Sequence, residues 1–281
     1  MVLIATQLAD ARAKLATVAG ANASLEARLL AAHAWRMSAE ELVFYGQEPR
    51  NAAALGGLIA RRLQHEPVAQ ILGEKHFWRD VFFVSRDVLT PRADSETMIE
   101  VLLRLRPNHI APLRVLDVGT GSGCLVLSTL REYANATAVA VDASPAALAI
   151  AAKNSAALGL AARVEMLHSD WCSNLVGKFD VILANPPYIP TSDIAALDAD
   201  VQGFEPHSAL DGGADGLDCY RALVQQLLQH ANPHVLLLFE VGMGQAADVA
   251  AIGVAAGWRL LDITNDLADI ARVVALQTNE T

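Results

Sequence analysis

A chain of 281 residues, 53% hydrophobic with much alanine, valine and leucine, has room for one large domain or two smaller ones and ample material for a core. Its formal net charge of −10, from 21 basic and 31 acidic residues, is a poor footprint for holding a long nucleic acid by its phosphates and suits a small-molecule site or a basic protein partner. Cys124, Cys172 and Cys219 show no paired metal or redox spacing, the longest uncharged run (Arg221 to Glu240) is too polar for a membrane span, and no basic stretch precedes an apolar N-terminal region, so a reduced cytoplasmic protein without a signal peptide is expected.

Residues 1 to about 70 read as helical throughout. Leu3, Leu8, Ala11 and Leu15 fall near helical spacing, and Leu25, Leu29 and Leu30 begin a second apolar face. Ser38-Ala39-Glu40-Glu41 has the form of a capping box ahead of Leu42 and Phe44. Leu55, Leu58, Ile59 and Leu63 make a further stripe, which Pro67 closes. No strand-like alternation interrupts them, so a small helical bundle is predicted over residues 1–72. Composition then shifts at KHFWRDVFFVSRDVLTPR, Lys75 to Arg92, rich in aromatic and β-branched residues. A hairpin linker turning at Arg79-Asp80 is expected over residues 73–92. A helix from Ser95 to Arg106, capped by Asp94 or Ser95, opens the remainder, residues 93–281.

From Leu113 onward strands and helices alternate. Strands are predicted at Leu113–Val118, Thr137–Val141, Arg163–Leu167, Val181–Ala184, Val235–Val241, Trp258–Ile263 and Arg272–Leu276. Helices are predicted at Cys124–Glu132, from Pro145 behind the cap Ser144 to Gly159, and at Met243–Ala256 before Gly257. The alternation implies the α/β class, a mostly parallel seven-stranded sheet covered on both faces.

The stretch VLDVGTGSG, Val115 to Gly123, follows the first of these strands and opens a helix. Gly119, Gly121 and Gly123 permit positive φ and close backbone approach, and Thr120 and Ser122 complete the loop. Asp142 ends the next strand, where a carboxylate can take both hydroxyls of a ribose, an N-cap or surface aspartate being the competing reading. A dinucleotide or S-adenosylmethionine fits this arrangement. The spacing GxGxG departs from the GxGxxG that seats a pyrophosphate, and Asp117 before the loop would repel a phosphate but attract an amino-acid end. Both features favour the methyl donor. After the third strand, Asp170 can meet an adenine amino group and Trp171 its face, although a buried structural tryptophan is an equal reading of Trp171 taken alone.

The fourth strand ends in Asn185-Pro186-Pro187-Tyr188. Each proline fixes φ and pushes its predecessor out of the helical region, so the backbone is stiff where the Asn185 amide and Pro186 carbonyl sit. A planar NH₂ group is a poor nucleophile, because its lone pair is delocalised; in an amide that conjugation underlies a rotation barrier of roughly 18–20 kcal/mol. The Asn185 side-chain oxygen and the Pro186 carbonyl can each take one N–H and aim the nitrogen at a sulfonium methyl, while Tyr188 covers the flat group. The product cation is very acidic, so no strong general base is needed, and none stands beside the motif.

NPPY after a strand, with GTGSG and an acidic residue after the second strand, resembles S-adenosylmethionine-dependent methyltransferases acting on planar amino groups. PVAQILGEKHFWRDVFFV with LTPRADSET, then EPHSALDGGADGLDCYR and FEVGMGQ, resemble in order the PrmC/HemK release-factor glutamine methyltransferases, over essentially the whole chain. The resemblance implies an N-terminal helical domain that helps dock the substrate, a hairpin linker, and a Rossmann-like methyltransferase domain whose last strand is antiparallel. It implies S-adenosyl-L-methionine as cofactor and class I peptide chain release factors as protein substrate, methylated on the glutamine of a Gly-Gly-Gln tip; no membrane and no direct nucleic acid binding are expected from the charge and the uncharged run above. Cofactor positions are then Gly119 to Gly123, Asp142, Asp170, Trp171 and Asn185. Asn185, Pro186, Pro187 and Tyr188 match the motif that holds the substrate amide; Arg92 and Glu96 match a polar segment lining the site, and Glu205 supports the loop after the motif, although structural ion pairing is an equal reading for these last three. Ala93 and Asp94 stand where proline and glutamate are common in that family, and Ala268 and Ala271 where glycine and aspartate are frequent. Two rivals share parts of the pattern: a methyltransferase for an exocyclic amine of a nucleobase, and a non-catalytic nucleoside-binding scaffold.

Overall fold

A computed structural model describes residues 1–278, which fall into two compact units. One holds residues 1–74 together with 197–204; the other holds residues 75–196 and those from 205 onward.

In the first unit, β1 (Val2–Leu3) pairs antiparallel with β2 (Pro49–Arg50), and Gln7 Nε2 donates to the carbonyls of Val2 and Arg50. Two residues per strand are too few to show alternation, so this pair was not legible in the sequence. Around it lie α1 (Ile4–Ala19), α2 (Ala23–Trp35), α3 (Ala39–Phe44), α4 (Ala52–Arg62) and α5 (Val68–Leu72). Ile4, Ala11, Leu15, Leu30, Leu55 and Ile59 share one core. Leu25 and Leu29 stay out of it, 50% and 41% exposed. The buried face of α2 is instead Ala23, Ala27, Leu30 and Ala31, a stripe of equal helical period, and periodicity cannot choose between two such stripes. Ser38 and Glu41 do form the reciprocal capping box: Glu41 N–H donates to Ser38 Oγ and Ser38 N–H to the Glu41 carboxylate. Leu42 is buried, whereas Phe44 is 82% exposed. Pro67 closes nothing; it stands immediately before α5, where a missing N–H leaves no gap in the helical bonding.

The second unit opens with a hairpin, β3 (Glu74–Phe77) and β4 (Asp80–Phe83), turning at Trp78-Arg79 with Trp78 at φ +54°, one residue earlier than expected. A 3₁₀ turn at Ala93–Ser95 leads into α6 (Glu96–Leu105) with no side-chain cap, because Asp94 pairs with Arg272 at 3.4 Å and Ser95 faces Glu240. β5 (Arg114–Val118), α7 (Cys124–Glu132), β6 (Thr137–Asp142), α8 (Pro145–Ala157), β7 (Val164–His168) and β8 (Phe179–Ala184) follow.

The chain then returns to the first unit through α9 (Ala199–Phe204). Arg62, 3% exposed, reaches Glu26 at 2.7 Å and Asp200 at 2.9 Å, and Gln70 Nε2 donates to the Phe204 carbonyl at 2.8 Å. Removing one partner of a buried pair costs about 3–5 kcal/mol, less here because Asp200 is partly exposed. Arg62→Ala is therefore expected to lower stability by about 2 kcal/mol and to expose the segment around α9 to protease. Limited proteolysis and urea unfolding check this, and unchanged cleavage there would refute it.

After α9 come α10 (Asp218–Leu227), β9 (Ala231–Glu240), α11 (Ala246–Ala255), β10 (Trp258–Asn265) and β11 (Ala271–Thr278). The seven strands order as β10-β11-β9-β8-β5-β6-β7, with β5 to β9 parallel and β11 antiparallel to both its neighbours. Side chains alternate between two cores. Leu116, Val118, Ile182 and Leu237 pack with α10 and α11; Val115, Val181, Leu183 and Leu236 pack with α6, α7 and the hairpin residues Phe77 and Phe82.

Candidate active site

β5 lies between β6 and β8, and all three are parallel, so their carboxyl ends share one edge where the connections diverge to either side. A cavity of about 500 Å³ opens there. The loop after β5 forms its floor. Gly119 and Thr120 both donate to the Val141 carbonyl at 2.9 Å, and Gly119 and Gly121 lie at φ +73° and +55°. A Cβ on either would meet nothing within 4 Å; the open space beside them is the cavity they line with Thr120 and Ser122. Gly123 does not line it. A Cβ there would sit 3.2 Å from Ala151 and Leu127, so this glycine serves the packing of α7 on α8.

Asp142, at the end of β6, accepts the N–H groups of Gly121 and Ser144, each at 2.9 Å. It thereby ties the glycine loop to the start of α8, and each oxygen keeps a second lone pair. Asn154 on α8 acts as a second tie: its Nδ2 donates to the carbonyls of Ser122 and Phe83, and its Oδ1 accepts Phe83 N–H at 2.7 Å. Asp170 and Trp171 form another wall, Asp170 exposed and Trp171 half-buried at φ +46° against the apolar core.

Asp117 is 1% exposed and does not line the cavity. Thr120 Oγ1 donates to its Oδ2 at 2.7 Å, while Oδ1 has no partner among the described residues. Burial, reinforced by the charge of Asp142, pushes this carboxyl up to about 7. An unsatisfied acceptor beside open glycines suits a cationic amino group. Because the folded value is raised, its stabilising contribution is complete below pH 3.8 and is lost as pH climbs to about 7. Asp117→Asn is expected to reduce the fall in Tm across that interval; an unaltered slope by thermal scanning would exclude Asp117 as its source.

Asn185 and Pro187 line the cavity at the end of β8; Pro186 is buried behind them. Tyr188, expected over the reacting group, does not line the cavity. Its ring packs against the apolar core, and burial, with the nearby Glu240 charge, pushes its hydroxyl up to about 12. The reason lies in the segment Leu210–Gly216, which runs beneath the motif. Ile189 N–H donates to Leu210 O and Gly212 N–H to Ile189 O, while Gln245 Nε2 donates to Tyr188 O at 2.9 Å. A Cβ at Gly212 would lie 2.8 Å from both the Pro187 oxygen and Tyr188 Cα, so only glycine lets the two backbones touch.

Arg92 lines the cavity, and its Nη2 bonds both carboxylate oxygens of the buried Glu205 at 2.9 and 2.8 Å. Burial raises the Glu205 carboxyl, and Arg92 opposes that shift. Glu96 does not reach the cavity, contrary to expectation: its carboxylate accepts Trp78 N–H at 2.8 Å and holds the hairpin turn. Sequence reasoning read Ser95 only as a helix cap and gave no site role to it, to Leu89 or to Ser208, which also line the cavity, nor to Gln245 and Glu240. A usable signal existed for Glu240: it is the one charged residue of β9 and ends the run VLLLFE. It is 2% exposed, and burial pushes it up to about 7.

Comparison with known proteins finds relatives of both units. A model of the Methyltransferase small domain matches residues 93–198, and one of the PrmC N-terminal domain matches residues 6–73. The chain is 42% identical to a release factor glutamine methyltransferase of Rhodospirillum rubrum, over 86% of this chain and 75% of that one. It is 41% identical to one of Cereibacter sphaeroides, over 93% and 94%. A crystal structure of a methyltransferase from Pyrococcus furiosus shares the fold, with a TM-score of 0.52 and 16% identity, covering 79% of this chain and 98% of that chain.

Proposed function

Because this chain belongs to the release factor glutamine methyltransferase family, we propose that it methylates the side-chain amide nitrogen of the glutamine in the Gly-Gly-Gln motif of class I peptide chain release factors. One observation carries the reading: Asn185, held between β8 and two prolines, opens into the same cavity as Gly119, Gly121 and Asp142. S-adenosyl-L-methionine, when bound there, would supply an activated methyl carbon, the carbon–sulfur electron pair passing to sulfur as the amide nitrogen bonds to that carbon.

The residues of the chain bind and orient. Gly119 to Ser122, Asp142, Asp170 and Trp171 would hold the nucleoside, with Asp142 offering its remaining lone pairs to ribose hydroxyls. Asn185 Oδ1 accepts one substrate N–H and the Pro186 carbonyl the other, which localises the lone pair on nitrogen. The N-methylated cation loses its extra proton to water. Tyr188 acts on the reaction through the backbone it anchors. Arg92, braced by Glu205, stands at the mouth as a contact for the substrate loop. The helical unit docks the release factor. The proposed substrate places the enzyme in the cytoplasm, and no helix among the described residues is long and apolar enough to cross a membrane.

Incubation with labelled methyl donor and, separately, release factor, RNA and DNA tests the reading. One methyl group on the Gly-Gly-Gln glutamine, found by mass spectrometry, is expected. Label in nucleic acid alone would overturn it in favour of a nucleobase methyltransferase, and label in none of them would leave a nucleoside-binding scaffold.

A further inference from the structure

We propose that Glu240 is a positioning residue that sets the orientation of the Asn185 side-chain amide and so turns its oxygen toward the substrate. The inference rests on the function proposed above.

β8 and β9 are parallel neighbours with Ala184 opposite Phe239, so Asn185 and Glu240 leave the sheet side by side at the cavity edge. Ser95 and Asn185 both line the cavity and both stand within hydrogen-bonding reach of the Glu240 carboxyl, whose Oε2 has no partner among the described residues and which is itself walled off from the cavity. The strand end is pinned by Tyr220, whose hydroxyl donates to the Glu240 carbonyl at 2.8 Å. The charged and titratable groups around the carboxyl are Arg272, Asp94, Tyr188, Tyr220 and Cys124. Arg272, itself held by Asp266 at 3.1 Å, favours the ionised carboxylate, whereas Asp94 opposes it.

A side-chain amide has nearly the same shape after a flip that exchanges its oxygen and NH₂. Hydrogen-bonding partners decide between the two states. An ionised carboxylate can only accept, so the NH₂ edge of Asn185 must face Glu240 and its oxygen must face the cavity. The substrate glutamine presents N–H donors and needs that oxygen. The flipped state would set two oxygens against each other in a buried place and offer the substrate a donor where it needs an acceptor. One buried carboxylate thus removes the wrong half of the asparagine's choices before substrate arrives.

The test is run at about pH 8, where Glu240 is ionised, with intact release factor and saturating methyl donor. Glu240→Gln can present either edge to Asn185. It is expected to lower kcat about ten- to a hundredfold, short of the loss from removing a whole catalytic hydrogen bond, with KM for release factor and donor affinity within about threefold. Asn185→Asp alone sets two carboxylates together and is expected to be nearly inactive. Adding Glu240→Gln lets the glutamine NH₂ donate to the new carboxylate and leaves its second oxygen facing substrate, so activity is expected to recover at least about tenfold over Asn185→Asp. Loss of donor binding by calorimetry in Glu240→Gln would make Glu240 a merely structural group and overturn the assignment. An active parent with kcat of Glu240→Gln within threefold, or with no recovery in the double variant, would overturn this inference alone. An inactive parent would remove the function reading and this inference with it.

Discussion

Asn185→Ala is expected to lower kcat for release-factor methylation by about 10²- to 10³-fold, the loss seen when a preorganised hydrogen bond to a reacting centre is removed. The amide nitrogen of a glutamine has its lone pair committed to its own carbonyl. Little in the site can make it nucleophilic except acceptors that grip its hydrogens and favour a pyramidal nitrogen. Asn185 supplies one such acceptor, and its backbone is stiff because prolines follow at 186 and 187. Binding of the donor should suffer far less, since Gly119, Gly121, Asp142 and Trp171 remain in place around the cavity. Single-turnover rates and calorimetric donor affinity separate the two effects. A drop confined to donor affinity, with the chemical rate intact, would remove Asn185 from the reacting centre.

Gly216→Ala is expected to cost about 100-fold in kcat without touching the cavity lining, the penalty that misplacing a reacting group by about 1 Å can bring. Gly216 lies at φ +76°, where a side chain is strained, and its Cβ would run into the Tyr188 carbonyl oxygen and lie 2.6 Å from Gln245 Nε2. The same Gln245 amide donates to Tyr188 O at 2.9 Å and accepts Gly242 N–H at 3.0 Å. Alanine would therefore push the asparagine-proline corner and loosen the side-chain clamp that Gln245 sets on its backbone. Stability should fall as well, by about 1–3 kcal/mol for the strained backbone. Turnover and urea unfolding measured together check this. Full kcat at reduced stability would mean that the corner holds its position without the segment beneath it.

The two residues differ in how visible they are beforehand. Asn185 can be read directly, because an asparagine before two prolines at the end of an apolar strand is a local, covalent constraint. Gly119 and Gly121 are equally plain, since a strand, a tight turn and a helix start within nine residues leave few backbone paths without positive φ. The capping box at Ser38 and Glu41 belongs with them. Each signal joins atoms a few bonds apart, and no distant partner is needed to interpret it.

Other assignments depended on which distant segments meet. Tyr188 packs against the apolar core and does not line the cavity, with its backbone neighbours bonded to the Leu210–Gly216 segment. Glu96 holds the hairpin turn because Trp78 stands beside it. Leu25 and Leu29 stay exposed because the face that α2 turns to the core of its unit is Ala23, Ala27, Leu30 and Ala31. The meeting of Glu240 with Asn185 requires β9 to lie next to β8, a choice among strand orders that all share one strand–helix alternation. The chain's own order of residues thus states its turns, caps and rigid corners, whose energies are settled between near neighbours. Which face is buried and which side chains converge on the cavity follow from long-range packing, where many pairings compete and only their sum selects one.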